Sequence, residues 1–274
     1  MDTIPTLLII GFTNIDENRV LNKKMTILPG GAGYFVALAA SRVYQPVGLV
    51  TRIGLDFDPT FLYSRVLHEG IKYIKNKKTS RSIQTYFSAS DLSQRDITLK
   101  PGVSSDVCPS DIPIQWLLHA KHIHIATMPP HQQALFMSFI REKNSHITIS
   151  IDTDQYLCQN QDNIRSIQKL FKQADMVFVN RQEYALLRDA IDRHPYAIVK
   201  QDKDGAILMC KGKIVTKAEI SQVSVVDATG AGDVFAGIYL GCMMKGRKSD
   251  VCLKESVKAA TLFVTQTGID HLFS

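Results

Sequence analysis

The chain is poor in the features that mark several common protein classes. Its five cysteines, Cys108, Cys158, Cys210, Cys242 and Cys252, are odd in number, far apart and without a C-x-x-C pair. That excludes a disulfide framework and the usual structural zinc sites, and the five are expected to be reduced thiols. No apolar run approaches the ~20 residues a membrane helix requires. The opening "MDTIPTLLII" is short and begins with an acid, unlike a signal peptide, so a cytoplasmic protein without a membrane partner is expected. The formal charge of +6 is spread along the chain, with only short clusters such as "KNKK" at 75–78. Aromatic nucleic-acid motifs are missing, so nucleic acid is not an expected partner.

What is present points to an α/β enzyme. A chain of 274 residues with 45% apolar and 21% charged residues suits one large domain spanning residues 1–274. Strand-like and helix-like segments alternate: "TLLIIGF", "AGYFVALAASRV", "VGLVTRIG", "DPTFLYSRVLHEG", "HIHIAT", "QQALFMSFIREK", "ITISID", "NIRSIQKLFKQA", "MVFVN", "QEYALLRDAI", "YAIVKQ". This rhythm predicts a mostly parallel sheet with helices on both faces. Two segments, within 17–29 and 79–101, alternate polar and apolar residues without an intervening helix, and predict a small antiparallel β flap over the carboxyl edge of the sheet.

The stretch "VVDATGAGDVFAGIYL" at 225–240 carries the chemistry. "VSVV" (223–226) reads as a strand, "DATGAGD" as its exit turn and the apolar run after it as a helix. A helix N-terminus offers unpaired amides and a positive dipole end, so the turn is a candidate anion site. Gly230 and Gly232 keep side chains out of the way. Asp233 would repel an anion, which argues for a task such as accepting a proton from an attacking hydroxyl. The alternative is a tight turn with Asp233 as a helix cap. The string fits neither the Walker nor the dinucleotide fingerprint.

From Asp227 through Phe235 the same string resembles the D-x-T-G-A-G-D-x-F-x-x-G signature of the ribokinase-like, or PfkB, family of carbohydrate and nucleoside kinases, with Gly237 one place earlier than the commonest spacing. The resemblance continues in family order through "LLIIGFTNID", "LPGGAGYFVALAASR", "VGLVTRIGLDFD", "FVNRQEYALL" and "AATLFVTQTG". It implies an enzyme that moves the γ-phosphoryl of ATP to an alcohol of a sugar, an inositol-like polyol or a nucleoside. It implies Mg2+ as cofactor, names K+ as a further candidate ion, and allows a homodimer formed through the lid.

Residue by residue, the resemblance implies that Asp233 is the base and that the amides of Gly230, Ala231 and Gly232 form the anion hole. Thr229, Gly230 and Gly232 would meet the nucleotide. Asn180 and Glu183 would organise magnesium, Glu183 through water; "NRQE" reads equally as an N-cap with its capping-box glutamate. Asp16, with Asn14, would bind acceptor hydroxyls, and Gly30 and Gly31 would let the acceptor lie against backbone.

Two positions depart from the family. Phe35 stands where many sugar kinases carry asparagine, which with Tyr34 signals a different acceptor. Asp202 replaces the first glycine of a V-T-x-G-x-x-G segment near the nucleotide. These departures keep two alternatives open: a catalytically weak relative acting as a small-molecule sensor, and a vitamin kinase of the phosphomethylpyrimidine type. Tyr86 and Phe87 in the flap would cover a substrate ring or simply pack. His119, His122, His124 and His131 read as strand polarity before a metal site.

Overall fold

Leu7–Ile10 is apolar at every position and fully buried because both of its faces are covered: Leu7 and Ile9 join one core, Leu8 and Ile10 the other. This is the signature of a central parallel strand. The computed structural model describes residues 4–20, 25–86, 95–158 and 160–273. In chain order the strands and helices are β1 (Leu7–Ile10), β2 (Asn14–Val20), β3 (Thr26–Gly30), α1 (Ala32–Val43), β4 (Val47–Gly54), α2 (Thr60–Tyr63), β5 (Ile71–Ile74), β6 (Arg81–Tyr86) and β7 (Arg95–Lys100). They continue as α3 (Ile114–His119), β8 (His122–Ile125), α4 (Pro130–Lys143), β9 (Thr148–Asp152), α5 (Gln161–Phe171), β10 (Met176–Asn180) and α6 (Arg181–Arg193). The last are β11 (Ala197–Lys200), β12 (Ala206–Cys210), β13 (Lys213–Ala218), α7 (Ala231–Met244) and α8 (Ser249–Phe263).

The large sheet has nine strands in the order β13-β12-β11-β10-β9-β8-β1-β4-β5. Its pairings are parallel from β11 to β5 and antiparallel at the β12 and β13 edge. α1, α7 and α8 cover one face and α3 to α6 the other. Strand order reverses beside β1, and in such sheets ligands bind outside the carboxyl ends near the reversal. α7 lies tightly on α1: a Cβ on Gly237 would stand 2.3 Å from the Val36 carbonyl oxygen, so glycine is required at that place.

The flap is a second sheet, β3-β2-β6-β7. Its outer pairings are antiparallel and its central β2–β6 pairing is parallel. Arg81 ties its base to the large sheet, with Nη1 2.7 Å from Glu17 and Nη2 3.2 Å from Asp56. Asp56 also accepts the Thr79 amide at 2.8 Å. The expected flap turn and Phe87 lie outside the described residues, as do the side chains of Tyr86 and Arg95.

Two expected elements differ. The helix read over 58–70 is one turn, Thr60–Tyr63, because the chain leaves it to join the edge of β4, where the Leu67 amide donates to the Val47 carbonyl at 2.9 Å. "VSVV" is not a strand. β13 ends at Ala218, and Val223, Val225 and Val226 are exposed while the segment crosses above the sheet; the Val226 and Asp227 amides both donate to the Val264 carbonyl at the end of α8. Among the described residues no helix is long and apolar enough to cross a membrane.

Candidate active site

The turn before α7 is built around Gly230, which caps the helix in the left-handed conformation (φ 83°). A Cβ there would lie 2.5 Å from the Phe35 ring, so glycine is required twice over. Phe35 is therefore the floor of the turn, buried with Tyr34 and set edge-on to Phe263 at 5.7 Å. Tyr34 is in turn set edge-on to Phe35 and Phe57. The Ala231 amide donates to the Ala228 carbonyl at 3.2 Å, while the amides of Gly230, Gly232 and Asp233 make no bond among the described residues. These open donors sit at the positive end of a 14-residue helix, the arrangement that holds an anion.

Asp233 lies in the first turn of α7. Desolvation, with the Asp152 carboxylate second, pushes its carboxyl up to about 7, against the pull of Lys200; Asp16 adds to the rise from across the cleft. The carboxyl thus sits where a base changes state near neutral pH.

The carboxyl ends of β9, β10 and β11 supply the floor beside it. Asp152 ends β9, and its Oδ2 is 2.8 Å from the Nζ of Lys200, which ends β11. Asn180 ends β10 and caps α6 through a full capping box. Its Oδ1 accepts the Glu183 amide at 2.8 Å, and the Glu183 carboxylate accepts the Asn180 amide at 2.8 Å and side chain at 2.7 Å. Burial pushes the Glu183 carboxyl up, and Lys200 opposes the shift. Glu183 is almost wholly buried and both its oxygens are engaged. Among the described residues no group of three or more His, Cys, Asp or Glu could hold a metal ion. This donor set suits a magnesium that arrives on a nucleotide and meets the protein through water.

The flap supplies the opposite wall. Asn14, Asp16 and Asn18 alternate along β2 and so share one face. Ser82 and Gln84 stand beside Asp16 and Asn18 in the parallel register of β6. The buried Oδ1 atoms of Asn14 and Asn18 have no partner among the described residues, and such atoms are costly unless a ligand meets them. A Cβ on Gly30 would collide with the Asp16 carboxylate, so Gly30 makes room for Asp16. Gly31 (φ 97°) caps α1. Asn18 Nδ2 donates to Asp227 at 3.0 Å and the Thr229 hydroxyl to Gln84 at 3.2 Å, joining flap to turn.

The structure thus brings Asn14, Asp16 and Gly30 on one side to Thr229–Asp233 on the other, with Asn180 and Glu183 beneath. Asp202 adopts the left-handed conformation (φ 50°), keeping the backbone shape a glycine would give, with its side chain in solvent. Lys200, a lysine ending the apolar run "AIVK", escapes sequence reasoning; a charge that closes a buried strand at the ligand-binding edge is the signal that would have found it. His122 and His124 share the Ser150 hydroxyl at 2.7 and 2.8 Å inside the sheet, and burial holds both rings below the usual histidine range.

Residues 6–272 match the pfkB family carbohydrate kinase profile. The chain is 26% identical over 276 residues to the cytidine kinase of Thermococcus kodakarensis, covering 96% of this chain and 97% of that one. It is 25% identical over 264 residues to a fructokinase of Escherichia coli, covering 88% and 86%. Its fold is similar to that of a candidate ribokinase II from Escherichia coli solved with ATP and Mg2+, with TM-score 0.80, 18% identity and coverage of 97% and 94%.

Proposed function

The chain belongs to the pfkB family of carbohydrate kinases, and from that premise we propose that it moves the γ-phosphoryl of ATP to a hydroxyl of a sugar, polyol or nucleoside, with Asp233 as the base. One observation carries this reading. A carboxyl titrating at about 7 follows directly on a turn whose open amides face the same cleft as Asp16 and Asn14.

In the proposed reaction Asn14 and Asp16 hold acceptor hydroxyls against β2. Asp233 takes the proton of the attacking hydroxyl; that oxygen bonds to the γ-phosphorus as the bridge to the β-phosphate breaks, and ADP leaves. The amides of Gly230 and Gly232 meet the charge on the transferring group, and the Ala231 amide joins them by trading its long turn bond. Thr229 orients the turn through Asp227. Glu183, steered by Asn180, would hold the waters of a magnesium ion, which would supply positive charge against the triphosphate. The flap excludes water, the competing acceptor.

The sugar and nucleoside classes are both supported, since a fructokinase and a cytidine kinase are similar over most of the chain. Acceptor-dependent ADP release over a panel of pentoses, hexoses, inositols and nucleosides tests the reading. The expected result is release with one class and little without acceptor. Nucleotide binding with no release for any acceptor would favour a sensor.

A further inference from the structure

Lys200 has a position that a lysine used only to cross-link strands would not need. It reaches across β10 to Asp152 on β9, at 2.8 Å, with little of its side chain exposed. Its ammonium lies 3.2 Å from where a Cβ on Gly232 would stand, so it flanks the turn whose amides are open. Burying a lysine and an aspartate together costs desolvation that their attraction only just offsets, and a pair of apolar residues would serve the fold as well. Burial lowers the ammonium, but Asp152 and Glu183 more than offset this, so it carries its charge. Asp16, Asp152, Asp154 and Lys200 all act on Asp233, and Lys200 is the cation among them. A triphosphate entering this acidic floor needs a fixed positive charge beside the amides.

We propose that Lys200 is a catalytic cation of the phosphoryl-transfer site: Asp152 anchors its ammonium beside Gly232, where it takes an oxygen of the transferring phosphoryl group. This rests on the kinase reading above. The ammonium makes no covalent bond and gives up no proton; it offsets charge that grows on the phosphoryl oxygens as the group moves.

The test compares Lys200→Gln, which removes the charge and keeps a polar end, with the neutral double variant Lys200→Gln/Asp152→Asn, both checked for folding by thermal melting. Binding of the β,γ-imido analogue of ATP with Mg2+, and of ADP with Mg2+, is measured by calorimetry, and turnover on whichever acceptor the panel identifies. Loss of one charge-assisted contact to the last phosphate should weaken the analogue about tenfold or more while ADP stays within about twofold. Turnover should fall about 10²–10³-fold, as for other lost donors to a developing charge, and Lys200→Arg should restore part of it. A merely structural lysine would weaken both nucleotides equally, or neither, and either result overturns the inference while the kinase reading stands. Wild-type protein that binds neither nucleotide overturns both.

Discussion

The two sheets are built on opposite principles. The nine-stranded sheet is covered by helices on both faces, so central strands such as β1 and β10 are apolar along their length, and polar residues stand at the carboxyl ends of β9, β10 and β11: Asp152, Asn180 and Lys200. The four-stranded flap has no second layer. β2 reads "NIDENRV", with Asn14, Asp16 and Asn18 on one face and the Glu17–Arg81–Asp56 ion pairs holding the other. Packing secures the first and hydrogen bonds and charge secure the second. On the proposed reading, the phosphoryl-transfer groups stand at the edge of the first sheet and the acceptor-holding groups on the second.

Four experiments press on that contrast, from the largest effect down. Asp233→Asn, on the rigid side, should cut turnover by about 10²–10⁴-fold, the usual weight of a general base. Nucleotide affinity by calorimetry should stay close to wild type, and near-normal turnover would refute the assignment. Gly230→Ala should destabilise the fold on the order of 2 kcal/mol or more in urea unfolding, since left-handed strain and the Phe35 ring act together. Pairing it with Phe35→Leu should return part of the loss.

The third experiment uses pH. Asp233 has its carboxyl raised to about 7, and in its proposed role as base it would act only when ionised. In a pH–rate profile kcat/KM should therefore fall as pH drops through 7, approaching tenfold per unit. Over the same range the flap should stay latched, because Arg81 holds Glu17 below the ordinary carboxylate range, and the Thr79 amide with Arg81 does so for Asp56 against burial. An acid limb that persists unchanged in an Asp233→Glu variant would place the titration elsewhere. The smallest effect is expected of Asn18→Ala, which removes the flap's bond to Asp227. Acceptor KM should rise several-fold, in line with one net hydrogen bond of about 1 kcal/mol, and acceptor-free ATP hydrolysis should increase. A change in kcat alone would argue against a role in closure.

Long-range periodicity made the rigid sheet easy to read. "LLII" and "MVFVN" have no other comfortable place than a covered strand, and "DATGAGD" followed by an apolar run is a turn into a helix by local chemistry alone. "NRQE" was legible as a cap, and Asn180 and Glu183 form the full capping box. What escaped depends on partners distant in sequence. "VSVV" has the composition of a strand, yet it pairs with no strand among the described residues, and the Val226 amide goes instead to the end of α8. Phe35 packs beneath Gly230, a partner that no local pattern announces. Lys200 meets Asp152 only because β10 lies between them at the right width. The β2–β6 pairing is parallel for a similar reason: the chain passes through α1, β4 and β5 between the two strands.

The overlap between Gly30 and the Asp16 carboxylate has a consequence for how this cleft could change over time. No side chain can appear at position 30 while the carboxylate stays where it is. The two positions, 14 residues apart in the chain and set diagonally across the β2–β3 pair, where Gly30 is opposite Asn14 and Asp16 opposite Leu28, are therefore bound to change together.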